Sequence, residues 1–290
     1  MRIYSSPLLK NVALYLVALR PRQWIKNLLI VAAPLAAEQF FQNILQMVLG
    51  LISFIFISSL GYVVNDYTDR LFDREHPKKK TRLFASGEFS FKHFIILIVI
   101  CFSIATTPLI FLPSNFSICL LIYLFITLSY SFFIKHIPVL EMMWLSSGFL
   151  VRALAGSAII NQPPTGWFIC LIFFGSMFMV SGKRLAEAQK SKSFITRKVV
   201  NLYSPSFLNT ISITSLSITL ITYCLWVFEV HPSSVIIQVS ILTFTYTMMM
   251  YLFSSDSGDA EIPEMLLFSN RFLILGIITT LFLLLIGYYL

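Results

Sequence analysis

The sequence predicts an all-α polytopic membrane protein, and three observations carry that prediction. Hydrophobic residues make up 57% of the 290 and charged residues only 12%, where a soluble domain carries about 25%. Mean hydropathy is +0.83. The apolar residues gather into runs close to the roughly 20 residues that an α-helix needs to cross the hydrocarbon core, and the basic residues lie almost entirely between those runs. An ordinary soluble enzyme, a disordered chain and a disulfide scaffold are excluded on these numbers.

The runs number about nine and account for nearly the whole chain as one integral membrane domain, 1–290. The first, 24–41, is short, starts with Trp24 and Lys26, and contains Pro34. The second, 44–64, carries no charge before its end. The third and fourth cover 93–112 and 115–134, and the break to the fifth, 138–160, rests on Lys135-His136-Ile137-Pro138. The sixth covers 166–181. The seventh and eighth, 208–229 and 233–253, are as clear as the second, and the ninth, 271–290, opens at Arg271. Nine helices would use about 180 residues and leave the remainder for connections.

Charge placement sets the expected orientation. Arg2, Lys10, Arg20, Arg22 and Lys26 lie at the N-terminus. Arg70, Arg74, Lys78, Lys79, Lys80, Arg82 and Lys92 follow the second run, and Lys183, Arg184, Lys190, Lys192, Arg197 and Lys198 follow the sixth. Lys135 follows the fourth, and the loops after the first, third, fifth and seventh runs hold no Lys or Arg. The positive-inside rule therefore puts the N-terminus and the loops after even-numbered runs in the cytoplasm. The first run is expected to direct membrane targeting, since MRIYSSPLLK has no cleavable signal pattern.

The net charge of +8 sits in loops. It points to anionic lipid headgroups and phosphorylated substrates, not to nucleic acid. Cys101, Cys119, Cys170 and Cys224 all fall inside apolar runs and read as packed hydrophobes. Arg152 stands in the middle of the fifth run. A charge at that depth must face the protein interior or a wet cavity.

The chemistry concentrates in Asn65-Asp66-Tyr67-Thr68-Asp69-Arg70-Leu71-Phe72-Asp73, where the second helix leaves the membrane. Asp66, Asp69 and Asp73 share one side if the helix continues. Clustered oxygen ligands of this kind suit Mg²⁺, which keeps several waters and shares its shell with substrate phosphates. A solvated helix end paired with Arg70 and Arg74 is the plainer alternative. The histidines are scattered, and no Gly-rich phosphate loop, zinc pattern or nucleophile elbow is present.

Asn65 to Asp73 resembles the first aspartate motif of the UbiA superfamily of intramembrane prenyltransferases. The resemblance implies about nine helices around a central cavity, with Asn65, Asp66, Asp69 and Asp73 holding Mg²⁺ and a diphosphate. Family members typically carry a second motif, D-x-x-x-D, after the sixth helix. This chain has Gly182-Lys183-Arg184-Leu185-Ala186-Glu187 there, so two cations replace carboxylates and could bind a phosphate directly.

That departure resembles the decaprenyl-phosphate phosphoribosyltransferase branch. So do Arg20-Pro21-Arg22-Gln23-Trp24-Ile25-Lys26-Asn27, His76 to Arg82 followed by Ala85-Ser86-Gly87, Pro138 to Glu141, Ser147 to Ala153, and Pro263-Glu264. The branch usually has Asp where Glu141 stands, and further glycines near Pro263. The implied reaction moves ribose 5-phosphate from phosphoribosyl diphosphate to a polyprenyl phosphate for cell-envelope glycan synthesis in a bacterial inner membrane. Active-site loops are expected at about 65–92 and 182–207. Lys26, Tyr62, Lys79, Lys80, Arg82 and Lys135 are expected at the donor, and Tyr130, Arg152, Lys183, Arg184 and Glu187 at the ribose 5-phosphate or acceptor phosphate. Asp69 and Asp73 would act through Mg²⁺, with no general base. The expected partners are the two substrates and the lipid bilayer, with self-association left open. Two alternatives stand beside this reading: a UbiA enzyme moving a prenyl group from a prenyl diphosphate to an aromatic acceptor, and a transporter of an anionic lipid or solute.

Overall fold

The computed structural model describes residues 7–77, 79–190, 199–256 and 270–289. Arg2, Lys78, Lys192, Arg197, Lys198 and Pro263-Glu264, all used above, lie outside these residues. Among the described residues every regular element is helical. Eight helices are long and apolar enough to cross a membrane, and they coincide with the second to ninth predicted runs. The protein is a multi-pass membrane protein.

The first predicted helix, 24–41, takes a different form. A short helix α1, Pro7–Ala18, comes first, then a 3-10 segment over Pro21–Val31, then α2, Ala32–Ala36. The cause is local. Pro34 has no N–H to offer the Ile30 carbonyl four residues back, and that carbonyl turns instead against Gly156, where a Cβ would collide with it. The 3-10 rise is longer than the α rise. Eleven residues at about 2.0 Å and five at about 1.5 Å reach about 30 Å, which matches the hydrocarbon thickness.

The chain divides into two compact units, 1–135 with 151–162 and 136–150 with 163–290. In the first, α3 (Ile44–Thr68) runs beside α6 (Phe91–Thr106) and α7 (Ser114–Phe132). Phe54 anchors this packing, edge-on to Phe116 at 5.6 Å and tilted against Tyr123 at 5.3 Å. Gly61 lets α3 approach α7 so closely that any side chain there would meet Thr127. Small residues at such crossings are what helix packing in lipid requires. Two short helices, α4 (Arg70–Glu75) and α5 (Leu83–Ser86), fold the connection after α3 back on itself.

Helix α8, Leu140–Ile159, is shared: 140–150 belongs to the second unit and 151–159 to the first. The rest of the second unit pairs α9 (Gly166–Lys190) with α10 (Pro205–Val230), and α11 (Val235–Asp256) with α12 (Arg271–Tyr289). Ser204 caps α10 by accepting from the Phe207 N–H, with Pro205 opening the helix. One core joins Met142, Met177, Val180, Leu185, Val199, Val200, Tyr203 and Leu208. Large apolar side chains such as Ile110, Leu121, Leu242 and Phe253 are exposed, as expected of a surface solvated by lipid.

Candidate active site

In the first unit, α3 outlasts the predicted run by a turn and carries Asn65 and Asp66 itself. Asp69 interrupts the helix at φ −85 and ψ 0. The interruption is slight, because the Asp69 N–H still bonds the Asn65 carbonyl at 3.0 Å and the Asp73 N–H bonds the Asp69 carbonyl at 2.8 Å. The three aspartates therefore keep nearly the one-sided placement that their spacing implies. Arg82 Nη1 reaches two of them, Asp66 Oδ1 at 3.1 Å and Asp73 Oδ2 at 2.7 Å.

Each carboxylate meets a cation: Asp73 pairs with Arg82 nine residues on, while Asp66 and Asp69 are also met from distant parts of the chain. Arg20 forks onto Asp66, Nε to Oδ2 at 3.1 Å and Nη2 to Oδ1 at 2.5 Å. Lys135 Nζ reaches Asp69 Oδ1 at 2.5 Å. Asp73 is 2% exposed and Lys135 7%, so these pairs form in a partly dry setting where charges couple more strongly than in water. Arg20 itself is left-handed, φ 53, a conformation uncommon outside glycine. Its guanidinium lies 5.2 Å from the Tyr62 ring centroid.

The lead-in to this cluster is held by polar contacts along α3. Trp24 Nε1 donates to Ser59 Oγ and to the Leu19 carbonyl, both at 3.1 Å. Asn27 Nδ2 donates to Ser58 Oγ at 3.3 Å, and the Tyr62 hydroxyl donates to Gln23 Oε1 at 3.3 Å. Arg152 is 4% exposed and faces the interior, as its depth requires. Its Nε donates to Asn27 Oδ1 at 2.9 Å and its Nη2 to the Tyr123 hydroxyl at 2.6 Å, with the guanidinium 4.4 Å over the Tyr123 ring. Lys26 is half-buried on the 3-10 segment, Tyr130 half-buried near the end of α7, and Lys79 and Lys80 lie in the turn before Arg82.

In the second unit, Lys183, Arg184 and Glu187 stand on the last turns of α9, which continues past the predicted run to Lys190. Arg184, 2% exposed, grips the fully buried Glu141 with Nε to Oε1 at 2.8 Å and Nη2 to Oε2 at 2.6 Å. Its Nη1 also reaches Glu187 Oε2 at 2.6 Å. Nearby, Val139 is left-handed at φ 66, an outlier for a β-branched residue that costs of order 1–3 kcal/mol. The Val139 N–H donates to the Tyr203 hydroxyl at 2.7 Å, which secures that strained turn. Burial holds the Tyr203 hydroxyl above its ordinary pKa, so it stays neutral at physiological pH. Lys183 is half-buried.

The donors in the first unit fit a hard divalent cation. Asn65 Oδ1 is buried with no hydrogen-bond partner, while Asn65 Nδ2 donates to Asp69 Oδ2 at 3.2 Å. An orphaned amide oxygen beside three carboxylates is the all-oxygen chemistry that Mg²⁺ takes. Among the described residues no three His, Cys, Asp or Glu side chains already converge as a closed metal cage, in keeping with the aspartates' engagement by Arg20, Arg82 and Lys135.

Sequence reasoning missed Arg20, Asn27, Tyr123 and Tyr203 as partners of these groups. Asn27 offered a signal, an amide inside an apolar stretch. The other three are marked only by long-range contacts.

The family model for the UbiA prenyltransferase family matches residues 28–272. The chain is 33% identical over 282 residues to a decaprenyl-phosphate phosphoribosyltransferase of Mycobacterium tuberculosis, covering 93% of both chains. It is 33% identical over 277 residues to a protein of the same name from Corynebacterium glutamicum, covering 91% of this chain and 83% of that one. The fold is similar to that of a UbiA homolog from Archaeoglobus fulgidus bound to DMAPP and Mg²⁺, with a TM-score of 0.71, 19% identity, and coverage of 95% of this chain and 98% of that one.

Proposed function

The chain belongs to the UbiA prenyltransferase family, and from that premise we propose that it transfers a 5-phosphoribosyl group from phosphoribosyl diphosphate to a polyprenyl phosphate, releasing diphosphate. The observation that carries this reading is Lys183-Arg184 on α9, cations at the place where a second metal-binding carboxylate pair would serve a prenyl diphosphate donor. The names of the relatives, matched over most of both chains, support it.

Asn65, Asp66, Asp69 and Asp73 would hold Mg²⁺, which supplies Lewis-acid stabilisation to a leaving diphosphate. Arg82 and Lys135, already at the aspartates, are assigned to the donor's phosphate oxygens together with Lys26, Lys79 and Lys80. Tyr62 is assigned a hydrogen bond to the donor. Lys183, Arg184 and Glu187 in the second unit, and Tyr130 and Arg152 in the first, are assigned to the ribose 5-phosphate and the acceptor phosphate, with Glu187 orienting the Arg184 guanidinium.

The bond changes balance without a protein base. A phosphate monoester has a second pKa near 6 and is mostly dianionic at neutral pH. Its oxygen lone pair forms the new bond to the anomeric carbon as the carbon–diphosphate bond breaks, and diphosphate leaves with the electron pair. The protein's work is to orient two anions that repel each other and to neutralise them. The positive-inside pattern supports placing this chemistry at the cytoplasmic face of a bacterial inner membrane.

The test is direct. Purified protein with Mg²⁺, phosphoribosyl diphosphate and a panel of polyprenyl phosphates should yield a polyprenyl-phosphoryl ribose 5-phosphate, identified by mass. No such product, together with turnover of a prenyl diphosphate and an aromatic acceptor, would overturn the proposal.

A further inference from the structure

Three carboxylates of the aspartate cluster are matched, in the ion pairs described above, by three cations: Arg20 on Asp66, Arg82 on Asp66 and Asp73, and Lys135 on Asp69. The formal charge of these six side chains is zero. Their exposure is low, from 2% for the Asp73 side chain to 26% for Arg20, so an unbalanced charge there is poorly screened. The cations come from three separate places, before the 3-10 segment, before α5 and after α7. They are not the incidental neighbours that one helix face provides.

We infer that Arg20, with Arg82 and Lys135, keeps metal out of the aspartate cluster until a diphosphate arrives with it, and that Arg20 is a donor-binding residue. The inference rests on the proposed assignment of Mg²⁺ and diphosphate to this cluster. Charge arithmetic carries it. A bare divalent ion would take the group of six from zero to two positive charges and would have to displace a bound guanidinium from Asp66. A diphosphate monoester carries about three negative charges near neutral pH. The metal and diphosphate together therefore leave the group close to neutral. As the carboxylates turn to the metal, Arg20, Arg82 and Lys135 are freed onto phosphate oxygens, which they bind by charge-assisted hydrogen bonds as readily as they bind carboxylates.

Arg20 is suited to this exchange. It holds Asp66 by two bonds from a left-handed backbone immediately before Pro21, a place of stored strain of the sort found at ligand clamps. Linkage makes the consequence reciprocal: diphosphate must raise metal affinity by the same factor as metal raises diphosphate affinity.

Mn²⁺ binding by the full chain in detergent, read by electron paramagnetic resonance at buffered free metal with and without inorganic diphosphate, tests this. The parent should bind Mn²⁺ at least about 10-fold more tightly when diphosphate is present, within the usual range of coupling between sites. Arg20→Gln should bind Mn²⁺ alone several-fold more tightly than the parent and show weaker coupling, while Arg20→Lys, which keeps the charge, should behave as the parent. If Arg20→Gln does not fold, Lys135→Gln gives the same comparison at Asp69. Equal Mn²⁺ affinity with and without diphosphate in the parent, or no change on neutralising Arg20 or Lys135, would overturn the inference. Asp69→Asn separates this failure from that of the underlying assignment. Mn²⁺ binding unchanged by Asp69→Asn would mean that the metal is not at the aspartates at all.

Discussion

Arg184 on α9 and Glu141 at the start of α8 meet as two parallel hydrogen bonds of 2.8 and 2.6 Å across 43 residues of sequence, with Glu141 fully buried. A fork of this kind is among the strongest pairings open to a guanidinium. It still has to offset the desolvation of both charges, and removing one partner from such a pair typically costs about 3–5 kcal/mol. Glu141→Ala should therefore lower the thermal midpoint of the detergent-solubilised protein sharply. The Glu141→Met/Arg184→Met double variant should recover most of the loss, because neither charge is then stranded. A Glu141→Ala midpoint equal to the parent's would show that the pair does not hold α9 to this end of α8.

The aspartate ladder has a different signature, with chemistry lost before stability. Asp69→Asn keeps the side chain's shape but removes the charge facing Lys135, and Asp73→Asn does the same toward Arg82. Either should cut turnover by about 10²–10³-fold, the cost of losing one preorganised electrostatic group at a developing charge. EDTA should abolish the parent's activity and Mg²⁺ restore it. Normal turnover in Asp69→Asn, or activity insensitive to EDTA, would remove the metal from this site.

Much of this was legible in the sequence, for physical reasons that also explain what was not. The eight long helices announce themselves because a lipid-solvated helix must be apolar along its whole length. The Asp66, Asp69 and Asp73 ladder was legible because helical periodicity alone fixes which side a residue takes, and Asp69's slight interruption does not break the hydrogen bonding. Arg20 was visible within the Arg20–Asn27 stretch and Arg184 as a phosphate candidate, but the carboxylate that each one grips was not. Their partners lie 46 and 43 residues away, and no local pattern encodes such a pair. The 3-10 segment was hidden for the same reason. Pro34 marks a break, but the form that the break takes depends on Gly156, at the far end of another helix.

That contact yields a prediction of its own. A methyl group on Gly156 would collide with the Ile30 carbonyl oxygen and press on Pro34, and both are backbone-constrained groups with little room to move. Gly156→Ala should lower stability by about 1–3 kcal/mol, the usual cost of overpacking, read as a drop in the thermal midpoint. Gly166 has open space where a side chain would go, so Gly166→Ala should leave the midpoint near the parent's. A parent-like Gly156→Ala would mean that the 3-10 segment is free to shift away from α8.

Orientation can be tested at two positions among the described residues. With every Lys and Arg missing from alternate loops, a cysteine placed at Lys79 should be labelled by an impermeant reagent only from the cytoplasmic side, and one at Ser234 only from outside. Labelling of both from one side would break the alternation of helices between them.

The last prediction concerns how the donor is chosen, and it divides Lys183 from its neighbour. Arg184 is almost wholly buried and engaged with Glu141 and Glu187, so its removal disturbs the fold around α8 and α9 first. Lys183 is only half-buried on the same turn and takes its direction from a helix that Arg184 holds in place. A hydrogen bond to a charged group is worth roughly 1.5–3 kcal/mol, which is about 10- to 150-fold at 1.4 kcal/mol per tenfold. Lys183→Ala should therefore lower kcat/KM for phosphoribosyl diphosphate or for polyprenyl phosphate by about that factor, with a thermal midpoint near the parent's. Arg184→Ala should lower the midpoint itself. Steady-state kinetics with both substrates varied, alongside thermal unfolding, reads the two effects separately. A prenyl diphosphate has one charged end and gains nothing from a second cationic position, so the parent should discriminate against it and Lys183→Ala should narrow the gap. Unchanged kinetics in Lys183→Ala, with the parent accepting a prenyl diphosphate and an aromatic acceptor, would return the protein to prenyl transfer.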